Sequence, residues 1–196
     1  MTARGSYTKG RVKRAEILVE AVQVFAESGF RGGSLKDIAD RVGLSQAGLL
    51  HHFSSKERLL AEVIAERDAE DSARLWGDEP LSGWAALRRT AELVRYNATV
   101  PGLVQLYVTL SGEAVAADHP AHDVFVERYE RIRKHFVRAL TEARADGDVA
   151  ADLDTERTAC ALIALMDGLQ IQWLLAPEAI DMAATFEAAL DRLRSA

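Results

Sequence analysis

Ser34-Leu-Lys-Asp-Ile-Ala-Asp-Arg-Val-Gly-Leu-Ser-Gln-Ala-Gly-Leu-Leu-His-His52 is the stretch on which the fold turns. Ser34 followed three residues later by Asp37 has the form of a helix N-cap with an acid in the first turn. Leu35, Ile38, Ala39 and Val42 supply one apolar stripe at helical spacing. Gly43 ends that short helix, Leu44 plugs the turn, and Ser45 caps a second short helix over Gln46–His52. Two short helices that cross steeply need a small residue at the contact, met by Ala39. The tight turn between them needs a residue tolerant of positive φ, met by Gly43. The pattern is that of a helix-turn-helix, whose second helix presents its N-terminal residues to the major groove.

Outward from this pair the chain stays helical. Ile17, Leu18, Ala21, Val22 and Phe25 give a supporting helix from about Gly10 to Ser28, stopped by Gly29 with Phe30 folding back. Phe53, Ser54 and Ser55 interrupt the chain after His52. Ser54 and Glu57 predict a capping box for a long helix reaching about Trp76. Gly77-Asp78-Glu79-Pro80 is a break. Helices are expected at about Ser82–Thr99, Gly102–Ala116, Ala121–Ala145, Thr155–Leu175 and Ala179–Arg194. Pro101, Pro120, Asp146-Gly147-Asp148 and Pro177 mark the joints. The expectation is an all-α chain of about nine helices, with residues 1–54 as a DNA-binding head and residues 55–196 as a helical body.

Composition agrees. The chain has 196 residues, 48% of them hydrophobic and 28% charged, with only 4 prolines, so it is neither disordered nor fibrous. The net charge of −6 conceals an asymmetry. Residues 1–60 hold ten Lys or Arg against six acids, while the remainder is strongly acidic. A basic head on an acidic body suggests a polyanion partner for the head alone; the alternative is a merely solvated basic tail. The single cysteine, Cys160, excludes an intrachain disulfide and is expected to be a buried, inert thiol in a reducing cytoplasm. Glu16 and Glu20 break any signal-peptide run, and Asp167, Gln170 and Gln172 interrupt the most apolar segment, so no membrane span is expected.

The residues Arg14-Ala-Glu-Ile-Leu-Val-Glu-Ala-Val-Gln-Val-Phe-Ala-Glu-Ser-Gly-Phe30, followed by Ser34 through Leu60, closely resemble the TetR family of bacterial transcriptional regulators. Asp118-His-Pro-Ala-His122 and Leu165-Met-Asp-Gly-Leu-Gln-Ile-Gln-Trp-Leu174 are similar to actinobacterial-type members. The resemblance implies a homodimeric repressor and not an enzyme. The first three helices bind a palindromic double-stranded operator, and the body holds the dimer interface and a small-molecule pocket. Effector binding would change the spacing of the two recognition helices and so lower DNA affinity. One position departs: Leu50 stands where the family commonly has a phosphate-touching Tyr. Either His51 or His52 compensates, or the site has one contact fewer.

The candidate DNA contacts are Ser34, Lys36, Ser45, Gln46, Ala47, Gly48, His51, His52 and Lys56. Gln46 is placed to pair with adenine and Ala47 to meet a thymine methyl. Gly48 permits close backbone approach or serves packing. His51 suits a base or phosphate, and His52 is expected to pack partly against the first helix. Lys56 and Ser34 stand at helix starts where a phosphate is favoured. Arg4, Lys9, Arg11 and Lys13 can add phosphate contacts or form a frayed tail. The candidate effector contacts are Trp84, Tyr96, Tyr107, Phe125, Met166, Asp167 and Trp173, against the alternative that most are core. An effector contacting them would be largely apolar. Asp167 anchors a polar ligand, faces a dimer partner or reaches water.

Two rival functions deserve tests. A metal-dependent enzyme or carrier would use His119 and His122 with Asp118 and Asp123, but a helix-start cap explains these residues, and no metal or cofactor is expected. A DNA-binding protein without an effector would have a fully packed body. His135, inside a charged helix, is expected on the surface. Leu162, Ile163, Leu165, Leu169 and Ile171 lie around much of one helix, so the last two helices are expected to pair with their mates in a four-helix bundle.

Overall fold

A computed structural model describes residues 3–76 and 81–194, with side chains for all of these except 3–8, 70, 71, 75 and 76. The break expected at 77–80 and the side chain of Arg4 lie outside the described residues. Nine helices are described: α1 (Ala3–Gly32), α2 (Leu35–Arg41), α3 (Gln46–His52), α4 (Lys56–Trp76), α5 (Gly83–Asn97), α6 (Pro101–Glu113), α7 (His122–Ala145), α8 (Thr155–Leu175) and α9 (Met182–Asp191). Among the described residues there is no strand, only an isolated antiparallel bridge between Val149 and Arg194.

The chain divides into two compact units. The first comprises residues 1–68 and 105–122, the second residues 69–104 and 123–196. In the first, Ile17, Ala21, Val24 and Phe25 of α1, spaced one and two turns apart, are buried with Ile38, Ala39, Leu49, Phe53, Leu59 and Leu60. The crossing of α2 and α3 has the predicted chemistry. Ala39 is fully buried. Gly43 takes φ 66°. The Leu44 N–H bonds Ala39 O at 2.9 Å and the Gly43 N–H bonds Asp40 O at 3.2 Å, the paired bonds of a Schellman turn. The same turn ends α7, where Asp148 N–H reaches Ala143 O at 2.9 Å around Gly147.

In the second unit, Leu87, Ala91 and Val94 of α5, Phe136, Ala139, Leu140 and Ala143 of α7, Ala159, Leu162 and Ile163 of α8, and Phe186 and Leu190 of α9 form one buried cluster. Arg95 pairs with Glu187 and Arg88 with Asp191 along the α5–α9 seam. Glu142 of α7 accepts the Gly83 N–H at 2.9 Å, placing a carboxylate at the positive end of α5.

Several expectations need correction. Helix α1 runs from Ala3 rather than Gly10, and the chain bends at Gly29, φ 67°. The fourth helix is capped by Ser55, whose Oγ accepts the Arg58 N–H at 3.1 Å, so the box begins one residue later than Ser54. Helix α9 starts at Met182 rather than Ala179, because the Asp181 carboxylate accepts the Ala184 N–H at 2.9 Å and fixes the first turn there. Cys160 is exposed, because α8 turns the opposite face inward, with Leu162 and Leu169. His135 is buried, because it flanks the Phe136–Leu140 stripe of α7. Helix α8 is long and apolar enough, by length and composition alone, to cross a bilayer. Its buried face nevertheless joins the core of the second unit.

Candidate nucleic-acid interface

Helix α3 has seven residues and a single buried one, Leu49. Its start is fixed by Ser45, whose Oγ accepts the Gly48 N–H at 3.1 Å. With Leu49 turned inward, helical spacing turns Ala47 and His51 outward and leaves Leu50 on the flank; Gln46 shares the Leu49 side but stands in the first turn, and all four are exposed. His52 is half-buried and its ring meets that of His51 edge-on at 5.9 Å. Gly48 is half-buried, yet a methyl there would meet nothing nearer than Ser45 Oγ at 3.4 Å. Packing within the chain therefore does not demand a glycine at this position.

Around α3 stand two helix starts. Ser34 Oγ accepts the N–H groups of Lys36 and Asp37 at 3.1 and 3.4 Å, which leaves its own hydroxyl proton free to donate. Lys36 is exposed, with Asp40 3.6 Å away. Lys56, the first residue of α4, holds its ammonium 4.5 Å above the Phe30 ring and 3.5 Å from Arg31 O. Leu50, 37% exposed, adds an apolar side chain to the same surface. Arg41 is held by Glu27 and Glu20 at 2.8 and 3.8 Å, which raises its pKa further above the ordinary value, mainly through the Glu27 hydrogen bond. Lys13 is tied to Glu16 and to Val42 O.

Two participants escape a reading of the motif alone. Arg14 and Glu62 form an ion pair beneath α3, and Glu62 also accepts Arg58 Nε–H at 3.0 Å. The signal was present: Arg14 falls on the same α1 face as Ile17, Ala21 and Phe25, so it is a packed cation rather than part of a basic tail.

The histidines considered as metal ligands are otherwise engaged. His119 is buried, its Nδ1 accepts the Ala121 N–H at 3.2 Å, and its ring stands edge-on to Phe30. Its Nε2 lies 3.4 Å from Glu113, whose carboxylate also accepts the Phe30 N–H at 2.7 Å. His122 Nδ1 is 2.8 Å from Ala114 O. Among the described residues no group of three or more His, Cys, Asp or Glu is arranged to hold a metal.

Of the candidate effector contacts, Tyr107 belongs to the first unit and the other six to the second. The Arg194 guanidinium covers Trp84 at 5.2 Å and that of Arg74 covers Tyr96 at 3.4 Å. Phe125 is buried. Met166 and Trp173 pack half-buried against the core. Asp167 accepts the Tyr129 hydroxyl at 2.8 Å. Burial pushes the Asp167 carboxyl above the ordinary aspartate range, against the opposing effects of that bond and of Arg128.

Comparison with known proteins is consistent with this geometry. Residues 17–63 match the model of bacterial regulatory proteins of the tetR family, and residues 91–195 match the C-terminal domain of BetI-type transcriptional repressors. The transcriptional repressor KstR2 of Mycolicibacterium smegmatis is 30% identical over 158 residues, covering 74% of this chain and 71% of that protein. FadR of Bacillus subtilis, solved with stearoyl-CoA, superposes with a TM-score of 0.76 at 20% identity over 92% of this chain and 97% of its own. A transcriptional regulator from Saccharomonospora viridis, solved with choline, gives 0.72 at 23% identity over 91% and 93%.

Proposed function

Because this chain belongs to the TetR family of helix-turn-helix transcriptional regulators, and is a DNA-binding regulator and not an enzyme, we propose that it acts in the cytoplasm as a homodimeric repressor. It grips a palindromic operator and is released by a small-molecule effector. The observation that carries the DNA reading is α3 itself. A helix held by one buried leucine and one serine cap presents Gln46, Ala47 and His51 to solvent, beside the starts of α2 and α4.

In this reading Gln46 reads a base edge, Ala47 and Gly48 let the helix sit close to the groove, and Ser34, Lys36 and Lys56 hold phosphates. Lys56 is pre-positioned by Phe30. Phosphate contacts fix register and base contacts fix sequence. We assign the head to residues 1–54 and the effector-binding and dimerisation body to the remainder; this functional division differs from the compact units, the first of which also takes in residues 55–68 and 105–122.

The second copy sits on the outward face of α8 and α9. Cys160, Ala161, Ala164, Ile171 and Leu175 are exposed along α8, and Ala184 and Ala188 along α9. Small side chains let helices approach closely while Ile171 and Leu175 supply apolar area. Leu162, Ile163 and Leu169 are spent on the core of their own chain. The effector class is a largely apolar molecule with few polar groups, with Asp167 and Tyr129 the polar pair that meets it. The relatives solved with stearoyl-CoA and with choline support effector binding by this fold.

Selection of duplexes from a random pool by the full-length protein tests the reading. The expected outcome is a two-fold symmetric consensus with half-sites about 10 bp or a multiple apart. On that consensus, Lys56→Ala should lower the log–log salt slope by about 1.8, one phosphate's worth from each protomer of the dimer, and weaken operator and scrambled duplexes alike. A selected sequence without symmetry, or retention of no duplex, would overturn it.

A further inference from the structure

We propose that Arg14 is a positioning residue for base reading: from α1 it pins the carboxyl end of the recognition helix and thereby fixes the angle at which α3 presents Gln46. Three contacts define it. The Arg14 Nη1–H donates to His52 O at 2.6 Å. The Nη2–H donates to Glu62 on α4. The guanidinium carbon lies 4.1 Å over the ring centroid of Phe53, itself fully buried.

His52 O is the last carbonyl of α3, and terminal carbonyls have no donor within their own helix. Phe53 N–H turns back to Leu49 O. The guanidinium of another helix supplies a donor that the short helix lacks, at the end where a cation is favoured. Glu62 then ties the same guanidinium to α4 and is shared with Arg58. One side chain thus joins α1, the end of α3 and the start of α4.

Helix α3 needs such a joint. With Leu49 its single buried residue, it can rock about one anchor. The turn from α2, with the Leu44 N–H on Ala39 O, fixes one end and Arg14 the other. Two pins separated along the axis fix a direction where one fixes only a point. A bidentate amide-to-base contact is lost when its donor strays by about 0.5 Å or 10–20°. Arg14 also has a donor from each terminal nitrogen and one face of its planar guanidinium committed inside the first unit, so phosphate binding is not its main task. Lysine cannot replace the fork, because an ammonium cannot hold the carbonyl and the carboxylate in one plane while stacking on Phe53.

The proposal rests on α3 reading DNA, a premise that fails or holds in the wild type, whereas the claim for Arg14 fails or holds in the variants. Full-length wild type, Arg14→Gln, Arg14→Lys and Glu62→Gln are titrated against the selected operator and a scrambled duplex at several salt concentrations. Amide exchange is measured across α3. Arg14→Gln should lower operator affinity about tenfold or more, as expected for loss of a charge-assisted bond, with a much smaller loss on the scrambled duplex. Its salt slope should match wild type. Arg14→Lys should recover part of the loss, and Glu62→Gln should shift it a shorter way in the same direction. Exchange should quicken at Leu49–Phe53 in both Arg14 variants and not along α2. Should Arg14→Gln fold poorly, Arg14→Lys and Glu62→Gln carry the same readouts. A slope lowered by about 1.8, one phosphate from each protomer, with equal losses on both duplexes would make Arg14 a phosphate ligand and overturn the proposal. Unchanged operator affinity and unchanged exchange in folded variants would overturn it equally.

Discussion

The recognition helix of the first unit and the core of the second unit are held by different means. In the first, the element that faces DNA buries one leucine and relies on directed polar bonds: a serine cap at its start, an arginine fork at its end and a Schellman turn before it. In the second, Phe136, Leu140, Phe186 and Leu190 meet in a continuous apolar cluster, with the ion pairs Arg95–Glu187 and Arg88–Asp191 along the α5–α9 seam. Apolar burial is strong but tolerant of direction; hydrogen bonds are weaker but set angles. A surface that must match a groove gains from the second kind of bond, and a body that must stay folded gains from the first.

The hardest way to strain this contrast is to remove mass from each core. Leu140 is wholly buried in the second unit, so Leu140→Ala should cost about 2–5 kcal/mol, read as a lower melting temperature. The operator-to-scrambled affinity ratio of the folded fraction should hardly move. Leu49→Ala deletes a comparable volume beneath α3, and here the ratio itself should collapse. Equal behaviour of the two variants in the ratio would dissolve the distinction.

The next effect is smaller and belongs to the head alone. Gln46→Ala should lose about 1–3 kcal/mol of discrimination at one position of each half-site, with an unchanged salt slope, because an exposed amide contributes through a base edge. If both duplexes weaken alike, Gln46 positions the helix and base reading passes to Ala47 or His51. Smaller again is Ser45→Ala, which should cost about 1 kcal/mol by freeing the Gly48 N–H.

The same contrast explains what was legible in the sequence. The head is written locally: Ser34, Ala39, Gly43 and Ser45 each do their work with residues up to five positions away, so motif and geometry agree. The start of α4 slipped because two capping residues compete there, Ser54 and Ser55. The body is written in long-range contacts. Arg133 and Lys134 make the surroundings of His135 look like a solvated face, yet bundling with α5, α8 and α9 buries the side that carries Phe136. Cys160 sits in an apolar run whose inward side is decided only by which neighbours α8 meets. Arg14 was visible as a charge, and its partners lie 38 and 48 residues downstream.

The smallest prediction separates two buried titratable groups of the second unit by the sign of their pH response. Burial, reinforced by Arg138 and opposed by Glu142, pushes the His135 imidazole below its ordinary 6.5. The unfolded chain therefore takes up a proton at His135 more readily than the folded one. The stability this provides is fully present above the unfolded value and is lost as pH falls through it towards the folded value. Asp167 works oppositely. Its carboxyl is raised above 3.8, so the folded state holds a proton more readily, and the stability this provides is lost as pH rises through the folded value. Each involves at most one proton, so neither slope exceeds about 1.4 kcal/mol per pH unit. Between pH 7 and 5, His135→Gln should flatten the acid-side fall in melting temperature, since glutamine carries no proton to gain. Asp167→Asn should keep the Tyr129 hydrogen bond through its amide oxygen and steepen the fall in the acid range where the folded carboxyl takes up its proton, because the opposing group is gone. Melting curves of the three proteins at half-unit pH steps would show it. If His135→Gln keeps the wild-type profile, the imidazole is hydrated in the folded state, and the second unit is less dry around α7 than its apolar cluster implies.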